Sequence, residues 1–270
     1  MKYCKSIPLQ SFKTHQPYLM DLNPWLYILL IVAGFAAGFI NTLAGGGSLL
    51  TLPLLIFLGL PANIANGTNR IGVLLQSLVA TKQFKQKKIF EWKDGIWLTI
   101  IATIGSFIGA AFAINLNDEV MNKIIGGLLV FMFFLLLYKP EMWLKSQQGE
   151  VNAKPGILKL LVFLGIGFYG GFIQVGVGYF LLAGLVFGAG FDLLKANALK
   201  ALIVAVFTLV ALAVFIYNNQ VNYLLGFILG TGNMTGAWVA SHVAIKKGNK
   251  FIRWFMLVTV LVFAIKLLFF

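Results

Sequence analysis

The chain is poor in the residues that most enzymes and metalloproteins need. Cys4 is the only cysteine among 270 residues, which excludes a disulfide framework, a thiolate metal site and a cysteine redox pair. The two histidines, His15 and His242, stand far apart, and none of the eight acidic residues lies in the middle of a long apolar segment. Acid–base and metal catalysis need carboxylates or histidines in clusters. We therefore predict a protein that is not an enzyme and that holds neither a metal nor a cofactor.

Charge is scarce in this chain, whereas apolar residues are abundant. Charged residues make up 11% of the sequence and hydrophobic residues 60%, against about 25% charged residues in an ordinary soluble domain. A membrane span needs about 20 mostly apolar residues. The sequence thus predicts an all-α integral membrane protein. Eight apolar segments are long enough to span, at 24–43, 64–80, 92–114, 120–138, 157–175, 193–217, 221–245 and 251–270, and two are too short, at 48–60 and 179–187.

The formal charge of +13 does not indicate a nucleic-acid partner, because of where the basic residues lie. Thirteen of the 21 Lys and Arg fall in three stretches, at 82–93, 139–159 and 246–253. Loops rich in Lys and Arg stay on the cytoplasmic side of a membrane. We expect these three stretches to be cytoplasmic, and we expect the lipid bilayer, not a nucleic acid, to be the main large partner.

The two halves of the chain resemble each other. The stretch "GFAAGFINTLAGG" at 34–46 aligns with "GFYGGFIQVGVGY" at 167–179, which pairs Asn41 with Gln174. With a gap of two residues, the alignment continues as far as the third long segment of each half. Each half then holds four long segments and one short segment in the same order, so we predict an internal repeat of about five segments.

Equivalent loops of the two halves have opposite charge. The lysine-rich loop at 82–93 corresponds to the uncharged "YNNQVN" at 217–222, and the acidic "NLNDE" at 115–119 corresponds to the basic "KKGNK" at 246–250. An odd number of crossings in each half would produce this reversal, so we predict two inverted repeats. Inverted repeats with short or broken helices are typical of secondary transporters, whose sites lie near the bilayer midplane between the halves.

A glycine-rich break precedes the short segment of each half. Irregular backbone inside a membrane is tolerated only where protein buries it or water lines it. Free N–H groups and the positive end of a helix dipole favour an anion at such a break, and a serine there can cap the helix. The alternative is that the glycines only let the chain turn or let helices pack closely. We predict anion contacts from Gly45, Gly46, Gly47 and Ser48 in the first half and from Gly176 and Gly178 in the second, with Asn41 and Gln174 as polar lining of the site.

Polar residues enter the first long helix after each break. Arg70 lies about six residues, or roughly 9 Å, inside a segment that also carries Asn66 and Asn69. The corresponding segment of the second half carries Asn197 and Lys200. A cation inside the membrane is expensive and suggests a functional site. We predict Arg70 as the counter-charge of the anion and the other four residues as polar lining. The alternative for both cations is that they snorkel to the membrane surface.

The lack of acidic residues inside the apolar segments favours an anionic substrate, since a cation would need carboxylates or many carbonyl groups to replace its water. The same lack leaves the chain without the carboxylates that usually form proton relays. The choice between H+ and Na+ as a coupling ion stays open.

Two other functions remain as alternatives: a passive anion channel, and a non-transporting membrane sensor or assembly subunit. The oligomeric state is open as well, and a homo-oligomer is one possibility.

The stretch "AAGFINTLAGGGSLLTLPLLIFLGLPANIANGTNR" resembles the signature of the TauE/SafE sulfite exporter family of bacterial membrane proteins. A weaker copy, "GFYGGFIQVGVGYFLLAGLVFGAGFDLLKANALK", extends the resemblance over nearly the whole chain. The resemblance implies a permease of the bacterial cytoplasmic membrane for small anions, with sulfite, sulfonates and related sulfur-containing or organic anions as substrates. The family's glycine-rich motif falls on Gly45, Gly46, Gly47 and Pro53, and its second copy, which lacks the glycine triplet and the proline, falls on Gly176 and Gly178.

These patterns divide the chain into four parts. We expect an N-terminal tail at 1–23, a first repeat of transmembrane helices at 24–140, a cytoplasmic linker at 141–156 and a second repeat at 157–270. The inverted topology places the three lysines of the tail outside, against the charge rule, and a translation start at Met20 would remove this conflict. The predicted function is secondary transport of a small anion by alternating access.

Overall fold

A computed structural model describes residues 24–137 and 156–269 of the chain. The predicted tail at 1–23 and all but the last residue of the predicted linker at 141–156 lie outside the described residues. The described residues form helices and connecting turns, with no strand among them. The helices are α1 (Pro24–Leu43), α2 (Ser48–Phe57), α3 (Ala62–Gln86), α4 (Trp92–Ala113), α5 (Asp118–Leu137), α6 (Ile157–Phe172), α7 (Val177–Ala183), which a π-helical turn (Gly184–Gly188) continues, α8 (Leu193–Tyr217) and α9 (Tyr223–Phe269).

The helices lie where the apolar segments predict them. Helices α1, α4 and α8 are long and apolar enough to cross a membrane, while α2, α6 and the stretch Val177–Gly188 are shorter apolar helices. Helix α9 consists of two helices, because Gly248 interrupts it with φ 67° and ψ −163°. The sequence predicts these two parts as separate segments, 221–245 and 251–270. The helical composition and these apolar helices fit a multi-pass membrane protein.

Apolar side chains cover the outside of the molecule, and polar side chains lie inside it. Large side chains on the outer helices are exposed, among them Trp25 of α1, Trp97 and Phe107 of α4, and Phe227 of α9. Such a surface suits a lipid environment, in which buried polar groups must be satisfied within the protein. The central helices α3 and α8 carry the buried polar side chains Asn66, Thr68, Asn69, Arg70, Gln76, Ser77, Asn197, Lys200 and Thr208.

Small residues let α1 lie directly against the first part of α9. A methyl group on Gly34 of α1 would collide with the carbonyl oxygen of Leu229, and one on Gly38 would collide with that of Asn233. The residue numbers of both helices rise together along this contact, so the two helices run parallel. These two glycines therefore allow the close approach of the two helix backbones.

Helices α4 and α6 meet in the same way. A methyl group on Gly105 of α4 would collide with the carbonyl oxygen of Leu164 of α6, and one on Gly109 would collide with that of Phe168. These two helices also run parallel. Helix α8 packs against α4, and α3 packs against α9, so the two central helices are each flanked by one of these pairs.

One end of the bundle has few basic residues. There, the side-chain amide of Gln220 donates to the carbonyl oxygen of Ile114 (3.2 Å), and the backbone N–H of Asn63 donates to the Asp118 carboxylate (3.1 Å). These contacts bring together the start of α3, the loop after α4 and the loop after α8. The acidic "NLNDE" and the uncharged "YNNQVN" therefore lie on the same side of the molecule, as the loop charges predict.

The opposite end of the bundle is basic. The Lys195 ammonium pairs with the Asp94 carboxylate (2.9 Å), and the backbone N–H of Leu194 donates to the Asn249 side chain (2.7 Å). The end of α3, the start of α4, the start of α8 and the break in α9 thus share this side. This is the end that the positive-inside rule predicts to be cytoplasmic. Its basic residues include Lys82, Lys85, Lys87, Lys88, Lys93, Lys246, Lys247 and Lys250.

The first helix of each half enters from a different end. Helix α1 runs parallel to the first part of α9, which starts at the end with few basic residues, and the chain returns to that end through α2. Helix α6 runs parallel to α4, which starts at the basic end, and the chain returns there through α7. The α1–α2 and α6–α7 pairs therefore form two hairpins that enter the molecule from opposite ends, with their breaks inside.

Candidate anion-binding site

The breaks of the two hairpins touch each other. A methyl group on Gly45 would meet the backbone of Gly178 at 2.5 Å, and one on Gly178 would meet the backbone of Gly45. Gly45 also has a φ of 102°, a left-handed conformation that glycine adopts without strain. These two glycines therefore let two irregular backbones approach to contact, and they bring the two predicted parts of the site together.

The break before α2 leaves backbone donors without a backbone acceptor. Leu49 and Leu50 donate their N–H groups to the carbonyl oxygens of Gly46 and Gly47. Within the described part of the chain, no backbone acceptor is found for the N–H groups of Gly46, Gly47 and Ser48 themselves. These three groups lie at the positive end of the α2 dipole, where an anion is favoured.

Ser48 does not cap α2, although the sequence predicts that it can. Gly47 is the cap residue and makes no side-chain hydrogen bond, while Ser48 is the first residue of the helix. The Ser48 hydroxyl accepts a hydrogen bond from the side-chain amide of Asn69 (3.3 Å). Asn69 also accepts from the hydroxyl of Thr51 (2.6 Å), so this amide ties α2 to α3 and does not face the cavity.

A small cavity lies beside the two breaks. It leaves about 20 Å³ for the centre of a water-sized molecule, room for one or two water molecules. Lys200 provides the only charge among the residues that line it, and there is no acidic side chain among them. The cavity is therefore suited to a small anionic group. Its lining consists of Asn41, Thr42, Ser48, Val73, Gln76, Ser77, Ala80, Gln174, Val177, Gly178, Lys200, Ala201 and Val204.

Lys200 links the cavity to the end of α1. Its ammonium nitrogen donates to the carbonyl oxygens of Asn41 (2.9 Å) and Thr42 (3.0 Å), which are in the last turn of α1. An ammonium has three N–H donors, so one remains for a ligand in the cavity. Only 3% of the residue is exposed, which contradicts the alternative that Lys200 snorkels to the membrane surface.

Arg70 makes the equivalent contact with the end of α6. Its guanidinium donates to the carbonyl oxygens of Gly170 (3.1 Å), Gly171 (2.6 Å) and Phe172 (3.3 Å), and it lies 4.6 Å from the centre of the Phe215 ring. Arg70 is fully buried, so snorkelling is contradicted here too. It is not among the residues that line the cavity. Its contacts assign it to the last turn of α6 and do not support the predicted role as counter-charge of the anion.

Like Asn69, the other two asparagines of α3 and α8 that were predicted as lining lie away from the cavity. Asn66 donates to the carbonyl oxygen of Phe172 (2.8 Å) and accepts from Arg70 (3.3 Å), so it belongs to the contact between α3 and the end of α6. Asn197 is fully buried on α8, and its side-chain atoms have no partner among the described residues. Gly176 begins α7 with a φ of 69°, which explains a glycine there without a ligand.

Comparisons with known proteins identify the family of the chain. A family model described as "Sulfite exporter TauE/SafE" matches residues 30–267. The chain belongs to the sulfite exporter TauE/SafE family. It is 32% identical to the probable membrane transporter protein ORF9 of Sinorhizobium sp over 250 residues, which cover 93% of this chain and 95% of that protein.

Two further relatives have the same kind of name. The chain is 31% identical to the probable membrane transporter protein YfcA of Escherichia coli K12 over 252 residues, 93% of each chain. It is 29% identical to a probable membrane transporter protein of Haemophilus influenzae, over 87% of this chain and 91% of that protein. No solved structure matches the chain significantly. The family and these relatives are membrane transporters and not enzymes, so the predictions of the family and of a protein without catalysis are confirmed.

Three polar residues of the cavity were missed by the sequence reasoning. Thr42 follows the predicted Asn41 directly, while Gln76 and Ser77 lie two turns after Asn69 on α3. Residues seven and eight positions apart lie on the same face of a helix. The polar face that begins at Asn69 therefore continues to Gln76 and Ser77, and this spacing was the signal that could have found them.

Proposed function

We propose that this TauE/SafE family member is a secondary transporter of a small anion in the bacterial cytoplasmic membrane. The observation that carries the proposal is the cavity at the meeting point of the two breaks. Lys200 faces it, none of its lining residues is acidic, and three backbone N–H groups without a backbone acceptor lie at the adjacent start of α2. A buried site that holds a positive charge and no acidic side chain favours an anion over a cation.

The helix contacts support a proposal of two inverted repeats. Gly38 of α1 faces the carbonyl oxygen of Asn233, and Gly167 of α6 faces that of Ala102. Ala102 and Asn233 are equivalent in the alignment of the two halves, so their partners Gly38 and Gly167 are equivalent as well. Each half then packs its first helix against the third long helix of the other half, and the two hairpins enter from opposite ends.

These contacts favour an alignment that differs from the sequence alignment by one helical turn in the first helix. The sequence pairs Gly34 with Gly167 and Asn41 with Gln174. Gln174 and Gly45 each lie two residues after the end of their helix, and each has a positive φ, 69° and 102°. Because glycines recur every four residues in the first helix of each half, both alignments pair glycine with glycine, and the sequence alone hardly distinguishes them. We propose the structural pairing as the correct one.

The two buried cations then have equivalent tasks. Lys200 of the second half binds the carbonyl end of α1, and Arg70 of the first half binds the carbonyl end of α6. In many transporters such half-helix ends hold a coupling cation. Here, side chains of the protein fill both places, so we propose that they hold the hairpins in position while the central helices move. Alternating access would follow if the two halves exchange their packing around the cavity.

The size of the cavity favours a small substrate. Space for one or two water molecules suits a compact oxyanion better than a bulky organic acid, which would force the hairpins apart. The family description names sulfite, and we propose sulfite or a small sulfonate as substrate. The partners in this proposal are the anion and the lipid bilayer, with no nucleic acid.

The test of this function is transport by purified protein in liposomes that contain no other protein. We expect labelled sulfite to accumulate against its gradient when an H+ or Na+ gradient is imposed. Equilibration of sulfite without uphill accumulation would indicate the alternative of a passive anion channel. The absence of flux for sulfite and small sulfonates, with protein that is folded and inserted, would overturn the proposal and favour a sensor or assembly subunit.

A further inference from the structure

Tyr179 of α7 lies over the glycine-rich break of the other hairpin. Its hydroxyl oxygen and one ring carbon are each 2.8 Å from the place that a methyl group on Gly46 would take. Only 1% of the residue is exposed. Its two preceding neighbours, Val177 and Gly178, line the cavity. A side chain from the second break therefore covers the backbone of the first.

The Tyr179 hydroxyl has no hydrogen-bond partner within residues 24–137 and 156–269. A buried hydroxyl without a partner is costly, and native structures satisfy nearly all such groups. A second tyrosine of the same hairpin, the half-buried Tyr169, shows the usual arrangement, since its hydroxyl donates to the carbonyl oxygen of Val175 (2.5 Å). A phenylalanine would fill the space over Gly46 as well as Tyr179 does and would not leave a buried donor unpaired.

The break that this side chain covers contains donors that also lack a backbone acceptor in the part of the chain that the structure describes. They are the backbone N–H groups of Gly46, Gly47 and Ser48 at the start of α2, a helix of ten residues. One acceptor with negative charge would satisfy the hydroxyl and the N–H groups together, and the helix dipole favours a negative charge at this point.

We infer that the Tyr179 hydroxyl is a ligand of the transported anion, which it binds together with the backbone N–H groups at the start of α2. The ligand class is a small oxyanion whose oxygens accept several hydrogen bonds. The inference rests on the proposed function and names a residue of that site that the sequence reasoning did not identify. It also accounts for the unequal breaks: the first supplies backbone donors from its glycine triplet, and the second, which lacks the triplet, supplies a side-chain donor.

The experiment measures sulfite binding to the purified full-length protein and to two variants by titration calorimetry in detergent. Tyr179→Phe removes only the hydroxyl and keeps the ring over Gly46. We expect roughly tenfold to hundredfold weaker sulfite binding, as for the loss of a hydrogen bond to a charged group. The melting temperature without ligand should stay the same or rise, because an unpaired buried group is removed.

Tyr169→Phe is the matched control. It removes the same atom from the same hairpin, but that hydroxyl already has a backbone acceptor. We expect its sulfite affinity to equal that of the unmodified protein and its melting temperature to fall.

Three outcomes distinguish a failure of the inference about Tyr179 from a failure of the proposed function. Equal sulfite affinity of the unmodified protein and Tyr179→Phe would overturn the inference and leave the proposed function intact. A lower melting temperature of Tyr179→Phe with unchanged affinity would also overturn it, since the hydroxyl would then have a structural partner such as a water molecule. Absence of sulfite and sulfonate binding to the unmodified protein would overturn both the inference and the proposed function.

Discussion

Replacement of Arg70 by Met tests whether this cation holds a helix end or binds the anion. The substitution removes a guanidinium that donates to three carbonyl oxygens in the last turn of α6 and to the side chain of Asn66. It also removes the contact with the Phe215 ring. Met keeps much of the length and apolar volume of the side chain, so the change is mainly the removal of these polar interactions.

The expected cost of Arg70→Met follows from the hydrogen bonds and the ring contact that the guanidinium makes. Hydrogen bonds between membrane helices are worth about 0.6 kcal/mol on average and up to about 1.7 kcal/mol, and a desolvated cation–π contact about 2 kcal/mol. The last carbonyls of α6 would also be left without a partner inside the protein. We expect the variant to be less stable by about 3–5 kcal/mol, which corresponds to a fall in melting temperature of roughly 6–20 °C for a chain of this size.

The assay is thermal unfolding of the purified protein in detergent, with and without sulfite. Arg70→Met should melt at a lower temperature in both conditions, while the increase in melting temperature on adding sulfite should persist. Arg70→Lys should lie in between, because a single ammonium cannot reach the three carbonyls that the planar guanidinium reaches. The reasoning is refuted if Arg70→Met melts like the unmodified protein and loses only its response to sulfite. Arg70 would then be the counter-charge that the sequence predicts.

Three further substitutions test other parts of the account. Lys200→Met should reduce the sulfite transport rate in liposomes at least tenfold, while Met at the exposed Lys123 should leave it unchanged; equal rates would remove Lys200 from the site. Gly167→Ala should lower the melting temperature, because the methyl group meets a backbone carbonyl, whereas Gly165→Ala on the same helix meets nothing within 4 Å and should be neutral or stabilising. Gln76→Phe should fill the cavity and abolish sulfite binding in a protein that still folds, and retained binding would contradict the location of the site.

Much of the fold could be predicted because the apolar segments are clear and the breaks contain several glycines. α1 has the predicted bounds, Pro24–Leu43, and α8 has the bounds Leu193–Tyr217. The loop charges also predicted which loops share an end. Within α1 and α6 the sequence could not fix the register, because glycines spaced by four residues permit two alignments one turn apart, and only the contacts with α4 and α9 distinguish them.

The candidate site was harder to predict, because sequence shows which polar residues are buried but not what they bind. Arg70 and Lys200 have similar surroundings in sequence, yet all the hydrogen bonds of Arg70 go to α6 and Asn66, while Lys200 faces the cavity. Their backbone partners are 100 or more positions away along the chain. Tyr179 gave no signal, because a tyrosine in an apolar helix is usually a packing residue. Its unpaired hydroxyl is visible only in three dimensions.

The central claim is that the cavity beside Lys200 and the α2 start binds a small anion. The most direct measurement is the thermal stability of the purified protein in a panel of anions at constant ionic strength and constant Na+. Since a ligand of the folded state stabilises it by about 2.7 kcal/mol at a concentration of 100 times its Kd, sulfite or a small sulfonate should raise the melting temperature by roughly 5–10 °C. Chloride should give no such increase. A protein that no oxyanion stabilises, or that chloride stabilises as much as sulfite does, would contradict the account.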